Sequence, residues 1–235
     1  MNMDTDMTLT EAIKARHSVR RYIQKPIPTD ILAVLKAKIE EVNRDGGLHV
    51  QLVTDEPKAF SGPMAYGKFS GVGSYLVMAG KKSRGLDLKV GYYGEQLVLL
   101  AQQLGLNSCW AGVSYSKVKG TYELADGEKI ACYIALGYGE TKGIPHKSKP
   151  LEAISNLNGS SPEWFRKGVE AAQLAPTAVN QQKFFIRYIG DGEGGHPEVS
   201  ISKGFSMVGY TLMDMGIARL HFEIGAGKEN FRWKE

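Results

Sequence analysis

Cysteine is scarce in this chain, with only Cys109 and Cys132 among 235 residues. Neither belongs to a CxxC pair, which removes zinc ribbons and thiol-redox motifs from consideration. Two thiols packed in apolar stretches of a reducing compartment is the better reading. Long apolar runs are missing too, since no stretch approaches the ~18 residues at which a membrane-spanning helix becomes a candidate. The polar start from Met1 to Thr10, with Asp4 and Asp6, resembles no secretory signal. The expectation is a soluble, cytoplasmic protein with no membrane partner. Charge of one sign is weak: the net is +4, and the basic residues are spread rather than gathered into a stripe with interleaved aromatics. No nucleic-acid partner is expected. The five histidines, His17, His49, His146, His196 and His221, are scattered. No Ser/His/Asp set, paired acidic motif or metal-ligand spacing stands out, so neither a catalytic nucleophile nor a metal is expected.

What is present is the composition of a globular chain, 43% hydrophobic and 23% charged. Thr8 and Glu11 have the spacing of a capping box, which predicts a short helix running towards Arg16. Thr29 as cap, with Ile31, Leu32, Leu35, Ile39 and Val42 at helical spacing, predicts a second helix ending at Gly46-Gly47. Strands are predicted at His49 to Val53 and Ser74 to Ala79, separated by a Gly- and Ser-rich loop from Pro57 to Gly73. Leu88 to Leu104 reads as a long buried helix stopped by Gly105. Ile130 to Leu136 reads as a buried strand. The polar stretch Asn156 to Ser161 is the best candidate linker. Ser161-Pro162 opens a further helix with a cap residue and a first-turn proline. That helix ends near Ala175, because Pro176 disfavours helical geometry before it. Phe184 to Ile189 and Val199 to Ile201 pair as strands, and a last helix is predicted over Phe205 to Ile224. Helices and strands alternate without repeated βαβ units or a dinucleotide glycine fingerprint, so the class is α+β.

Three polar segments carry chemistry. Arg16-His17-Ser18-Val19-Arg20-Arg21 puts forked donors and a hydroxyl within reach of a phosphate monoester. His146-Lys147-Ser148-Lys149-Pro150 places two lysines on the same side of an extended chain, where both ammonium groups can meet one dianion. Ala175-Pro176-Thr177-Ala178-Val179-Asn180-Gln181-Gln182 is dense in amides, which supply the mixed donors and acceptors that the edge of a pyrimidine-like ring requires. Taken singly, the first reads better as a solvated basic turn and the second as a lysine-rich surface loop, and the third also reads as a capped turn.

Together the segments resemble the FMN-dependent nitroreductase family. Arg16, His17, Ser18 and Arg20 match the family's first-helix stretch, and Lys147 and Lys149 its late basic stretch; the resemblance implies that both grip the FMN phosphate and ribityl chain. Pro176, Thr177, Ala178, Asn180 and Gln182 match the loop that approaches the isoalloxazine, which in the family comes from the other subunit of an intertwined dimer. The stretch ending Leu104-Gly105-Leu106-Asn107-Ser108-Cys109-Trp110-Ala111-Gly112 resembles the central helix and the turn after it. This implies a backbone N–H near flavin N5 from Ala111 or Gly112. Lys68 lies where the family often places a positive group near N1 and O2. The chain departs from the common pattern in carrying its amide loop far downstream of the arginine segment. The stretch around Asp214-Met215-Gly216-Ile217-Ala218-Arg219-Leu220-His221 looks like a reduced copy of the central helix. A degenerate duplication follows, resembling the branch in which one chain mimics the usual dimer. Residues 1–155 would carry the phosphate grip and residues 156–235 the ring-facing loop.

The resemblance implies a nitroreductase-like fold with mixed or antiparallel sheets flanked by helices, in two unequal pseudo-symmetric halves. It implies hydride transfer from NADPH or NADH through FMN to a small-molecule acceptor such as a nitroaromatic or quinone. Another FMN-dependent reaction, such as reductive dehalogenation, and a flavin-binding module without turnover are the alternatives. The duplication permits a functional monomer and does not forbid further association into a homodimer.

Overall fold

The computed structural model describes residues 6–65, 67–192 and 195–234; the first five residues of the polar N-terminal stretch lie outside the described residues. The chain divides into two compact units, residues 1–145 and 146–235. The division lies upstream of the 156–161 linker, so the Lys147 to Lys149 stretch belongs with the second unit.

In the first unit, α1 (Leu9–Ala15) starts on the capping box: Thr8 accepts the Glu11 N–H at 3.2 Å, and Glu11 accepts the Thr8 N–H at 2.8 Å. Next come α2 (Thr29–Gly46), β1 (Gln51–Val53), β2 (Ser74–Lys81), α3 (Leu86–Gln103), β3 (Asn107–Ala111) and β4 (Glu128–Gly137). The strands form one antiparallel sheet in the order β1-β2-β4-β3. Residues Tyr75 to Gly80 of β2 are buried without alternation, because both faces of the sheet are covered. One face meets an aromatic cluster in which Tyr133 stacks on Tyr115 at 3.9 Å and on Tyr75 at 5.0 Å. The other meets α3. A Cβ at Gly94 would lie 2.6 Å from the Trp110 ring and 2.9 Å from Met78 Cε, so glycine is what lets α3 lie this close to the sheet.

The second unit contains α4 (Glu163–Gln173), β5 (Phe184–Asp191), β6 (Pro197–Lys203), α5 (Thr211–Ala226) and β7 (Arg232–Trp233). β5 and β6 are antiparallel, and β7 joins β6 in parallel. Phe222 packs among Phe165, Phe231 and Trp233, with ring centroids 5.1–5.7 Å apart. Among the described residues, no helix is long and apolar enough to cross a membrane.

The α+β class stands, with several local differences. Asn107–Ala111 is a strand, not merely the turn after the central helix; pairing with β4 completes its ladder. Ser161 does not cap α4, since its hydroxyl accepts the Asn158 N–H at 3.0 Å instead. Likewise Thr29 is the first residue of α2 and Pro28 occupies its cap position. The last helix begins at Thr211 rather than Phe205. Gly209 and Tyr210 are left-handed, with φ of 81° and 59°, and that geometry interrupts a helix.

Candidate functional site

In the first unit, the backbone leaves α1 in an extended conformation at Arg16 and runs beside β3. Ser18 bridges Ser108, and the Val19 N–H donates to the Ser108 carbonyl at 3.1 Å. Extended geometry puts Arg16, Ser18 and Arg20 on one side of the segment and Val19 on the other. Val19 enters the core, 3% exposed. All three polar residues act on the Cys109 thiol of β3. Burial pushes that thiol up, while the Arg20 guanidinium, a hydrogen bond with Ser18 and the Arg16 guanidinium pull it down. This one extended segment therefore offers two cations and a hydroxyl on the same side.

Arg20 is exposed, but Arg16 is only 3% exposed. Its Nε lies 3.6 Å from Oε1 of Glu95, a fully buried residue of α3 whose Oε2 accepts the Trp110 indole N–H at 2.9 Å. Nε and Nη1 of Arg16 are buried without a hydrogen-bond partner. A buried donor left unsatisfied costs about 1–3 kcal/mol, so this guanidinium is suited to an anion that completes its set. Glu95 escaped the sequence reading, and Trp110 entered it only as part of the stretch after the central helix. The only signal was an acid on the apolar face of an otherwise buried helix.

His17 is half-buried, and a Cβ on Gly143 would lie 2.8 Å from its own Cβ. Lys68 is exposed in a turn whose Lys68 N–H donates to the Ala65 carbonyl at 2.9 Å. Ala111 is the buried last residue of β3, opposite Tyr133, and Gly112 follows where the strand ends. A separate cleft of about 470 Å³ in this unit is lined by Tyr22, Lys25, Phe60, Phe69 and neighbouring residues, and includes none of the candidate positions.

In the second unit, the structure joins the lysine stretch to the amide loop, in a manner the sequence did not suggest. The Lys149 ammonium donates to the carbonyls of Gln181 and Gln182 at 2.8 and 2.9 Å, and its N–H donates to Gln182 Oε1 at 2.8 Å. Burial and the nearby Lys183 hold its pKa below the usual lysine range. Lys147 is exposed, while its carbonyl accepts from the amides of Asn180 and Gln182 at 2.8 and 2.9 Å. Gln182 also donates to Asn180 Oδ1 at 2.8 Å. The two lysines thus have different surroundings instead of one shared anion site, and the amides of Asn180 and Gln182 knit the loop to the preceding chain.

The loop needs that support. After Pro176, Thr177 accepts the Gln182 N–H on its hydroxyl at 3.0 Å. Val179, Asn180 and Gln182 then take φ values of 46°, 56° and 45°. Left-handed geometry at a non-glycine residue costs about 1–3 kcal/mol and is worst for β-branched side chains. Val179 is nevertheless 78% exposed, so no burial of its side chain offsets the strain. The remaining restraint comes from Asp214 in the first turn of α5. Its Oδ1 accepts the Ala178 N–H at 2.9 Å and its Oδ2 the Gln181 amide at 2.6 Å. Burial raises its pKa to about 6 against the opposing pull of those two bonds.

No curated protein sequence matches the chain. The sequence model of the family described as "Putative TM nitroreductase" matches residues 8–226. Among solved structures, a putative nitroreductase from Thermotoga maritima is 22% identical. The match covers 97% of this chain and 88% of that one, with a TM-score of 0.63. A nitroreductase family protein from Streptococcus pneumoniae is 15% identical over 63% of this chain and 98% of its own, with a TM-score of 0.51. A nitroreductase-like protein from Streptococcus mutans is 14% identical over 63% and 96%, with a TM-score of 0.50. The two streptococcal chains are thus matched almost whole by under two thirds of this one, whereas the Thermotoga chain parallels nearly all of it.

Proposed function

This chain belongs to the putative TM nitroreductase family, an oxidoreductase family, and from that premise we propose that it is an FMN-dependent NAD(P)H oxidoreductase. The observation that carries the reading is Arg16, buried with Nε and Nη1 making no hydrogen bond although Nε is ion-paired with Glu95, in one extended segment with Ser18 and Arg20. That donor set fits a phosphate monoester in charge and in hydrogen-bonding capacity.

FMN, when bound, would supply the redox chemistry, hydride exchange between NADH or NADPH and an acceptor such as a nitroaromatic or quinone. The chain's own residues bind and orient. Arg16 and Arg20 neutralise the phosphate, Ser18 donates to it, and His17 shapes the same turn. Lys147 adds an exposed cation, while Lys149 acts indirectly by holding the carbonyls of the amide loop. Backbone N–H groups at Ala111 and Gly112 would serve the N5 side of the ring. Lys68 would serve the N1 and O2 side, where its positive charge would stabilise negative charge by the logic of an oxyanion hole. Pro176, Thr177, Ala178, Asn180 and Gln182 form the loop that approaches the ring, and the second unit is read as a reduced copy of the first. A reducing cytoplasm suits both the nicotinamide donor and the free thiols at Cys109 and Cys132.

Titration of the purified protein with FMN, followed by its visible spectrum, tests the reading. Arg16→Ala removes a charge-assisted bond worth about 1.5–3 kcal/mol, so affinity should fall on the order of ten- to hundredfold. Unchanged affinity in both Arg16→Ala and Lys147→Ala would refute the assignment. NADH or NADPH oxidation with menadione as acceptor then reports turnover; tight flavin binding without oxidation would leave a flavin-binding module.

A further inference from the structure

Asp214 is 3% exposed and, among the described residues, takes part in no ion pair. Its carboxylate instead joins three pieces of the second unit. Through the Ala178 N–H and the Gln181 amide it holds the 177–182 loop to the start of α5. Gln181 in turn donates to the Gly209 carbonyl at 3.0 Å and accepts from the Ser206 hydroxyl, which ties in the segment before α5. The partners of Gln181 fix the orientation of its amide. Its Oε1 is taken by Ser206, so its Nε2 faces Asp214, and only an acceptor satisfies both donors there. A carboxylate in the first helical turn also lies at the favourable end of the helix dipole. Burying a carboxylate without a countercharge is costly.

We propose that Asp214 is a positioning residue: its carboxylate holds the left-handed 177–182 loop in the shape from which that loop meets the flavin ring. The ring contact rests on the function proposed above; the hold on the loop does not. Below a pH of about 6, where Asp214 takes up a proton and sheds the desolvation cost of its buried charge, the fold as a whole gains, but one acceptor becomes a donor facing a donor, and the loop locally loosens. The groups acting on this carboxylate are its burial, the Ala178 N–H and the Gln181 amide.

Full-length, isotope-labelled protein without flavin gives the first readout. The amide proton of Ala178 should titrate with a midpoint of about 6, and Asp214→Asn should abolish that titration. Flavin affinity gives the second. At pH 7.5, Asp214→Asn, which keeps the size and one acceptor, should weaken FMN on the order of tenfold, and Asp214→Ala should weaken it further. Riboflavin should lose affinity by the same factor as FMN, because the contact is to the ring, whereas Arg16→Ala should weaken FMN selectively. Far-ultraviolet circular dichroism identifies a variant that fails to fold, in which case the Ala178 titration in the unaltered chain decides. An Ala178 resonance indifferent to pH and to Asp214→Asn overturns the proposal, as does flavin affinity within twofold of the unaltered protein in folded Asp214→Ala. If the unaltered protein bound no flavin while Ala178 titrated as expected, the proposed function would fall and the hold on the loop would stand.

Discussion

Replacing Glu95 by Gln leaves the Arg16 guanidinium in the core of the first unit without its counter-charge. The pair is 3% and 0% exposed, so water does not screen it as at a surface. Removing one partner of such a pair typically costs about 3–5 kcal/mol, because the surviving charge remains buried. Gln still offers an oxygen to the Trp110 indole N–H, which Glu95 accepts at 2.9 Å, so the lower end, about 3 kcal/mol, is expected. For a chain of this size that corresponds to a fall in Tm of roughly 6–12 °C. Thermal and urea unfolding measure it. Two controls make the reasoning specific. Arg16→Met combined with Glu95→Gln should recover most of the loss, since two neutral side chains leave no stranded charge. Millimolar phosphate should stabilise Glu95→Gln more than the unaltered protein, because an anion at Arg16 restores the missing charge. A single variant within about 0.5 kcal/mol of the unaltered chain, the size of an ordinary surface change, would refute the argument.

Asp214 binds its proton more tightly in the folded chain, at about 6 against 3.8. Its contribution to stability is therefore fullest below pH 3.8 and is lost as the pH rises through about 6, a change of roughly 3 kcal/mol. Urea unfolding at pH 4 and 7.5 should show the stability of Asp214→Asn rising relative to the unaltered chain over that interval, and parallel profiles would contradict the assignment. Val179→Gly should stabilise by about 1 kcal/mol, since glycine adopts a φ of 46° without steric cost and little side-chain burial is lost; an unchanged urea midpoint would contradict this. Gly94→Ala should cost about 1–3 kcal/mol by forcing Trp110 or Met78 off the α3 contact, and a neutral result would show that the helix can move away freely.

The legible parts of the molecule were those written in local sequence. The Thr8–Glu11 capping box, the apolar spacing of α2, the stop at Gly105 and the buried runs of β2 and β4 each depend on residues a few positions apart. Family resemblance was legible too, because residue types at short spacing carry it. The start of α5 was not, since Met207 and Val208 read as helical apolar residues until the left-handed Gly209 and Tyr210 are seen. Nor were the separate surroundings of Lys147 and Lys149, which alternate in the chain as one pair would.

The sequence alone determined the α+β class, the helices and the strands other than β3 and β7, and the residue types able to hold a phosphate. Only tertiary structure decided which of those groups are committed elsewhere. Glu95 lies far along the chain from Arg16, and Asp214 from Ala178, yet each pair meets within its unit. The physical reason is that burial makes a polar group's partner compulsory, while chain spacing says nothing about which distant residue will supply it.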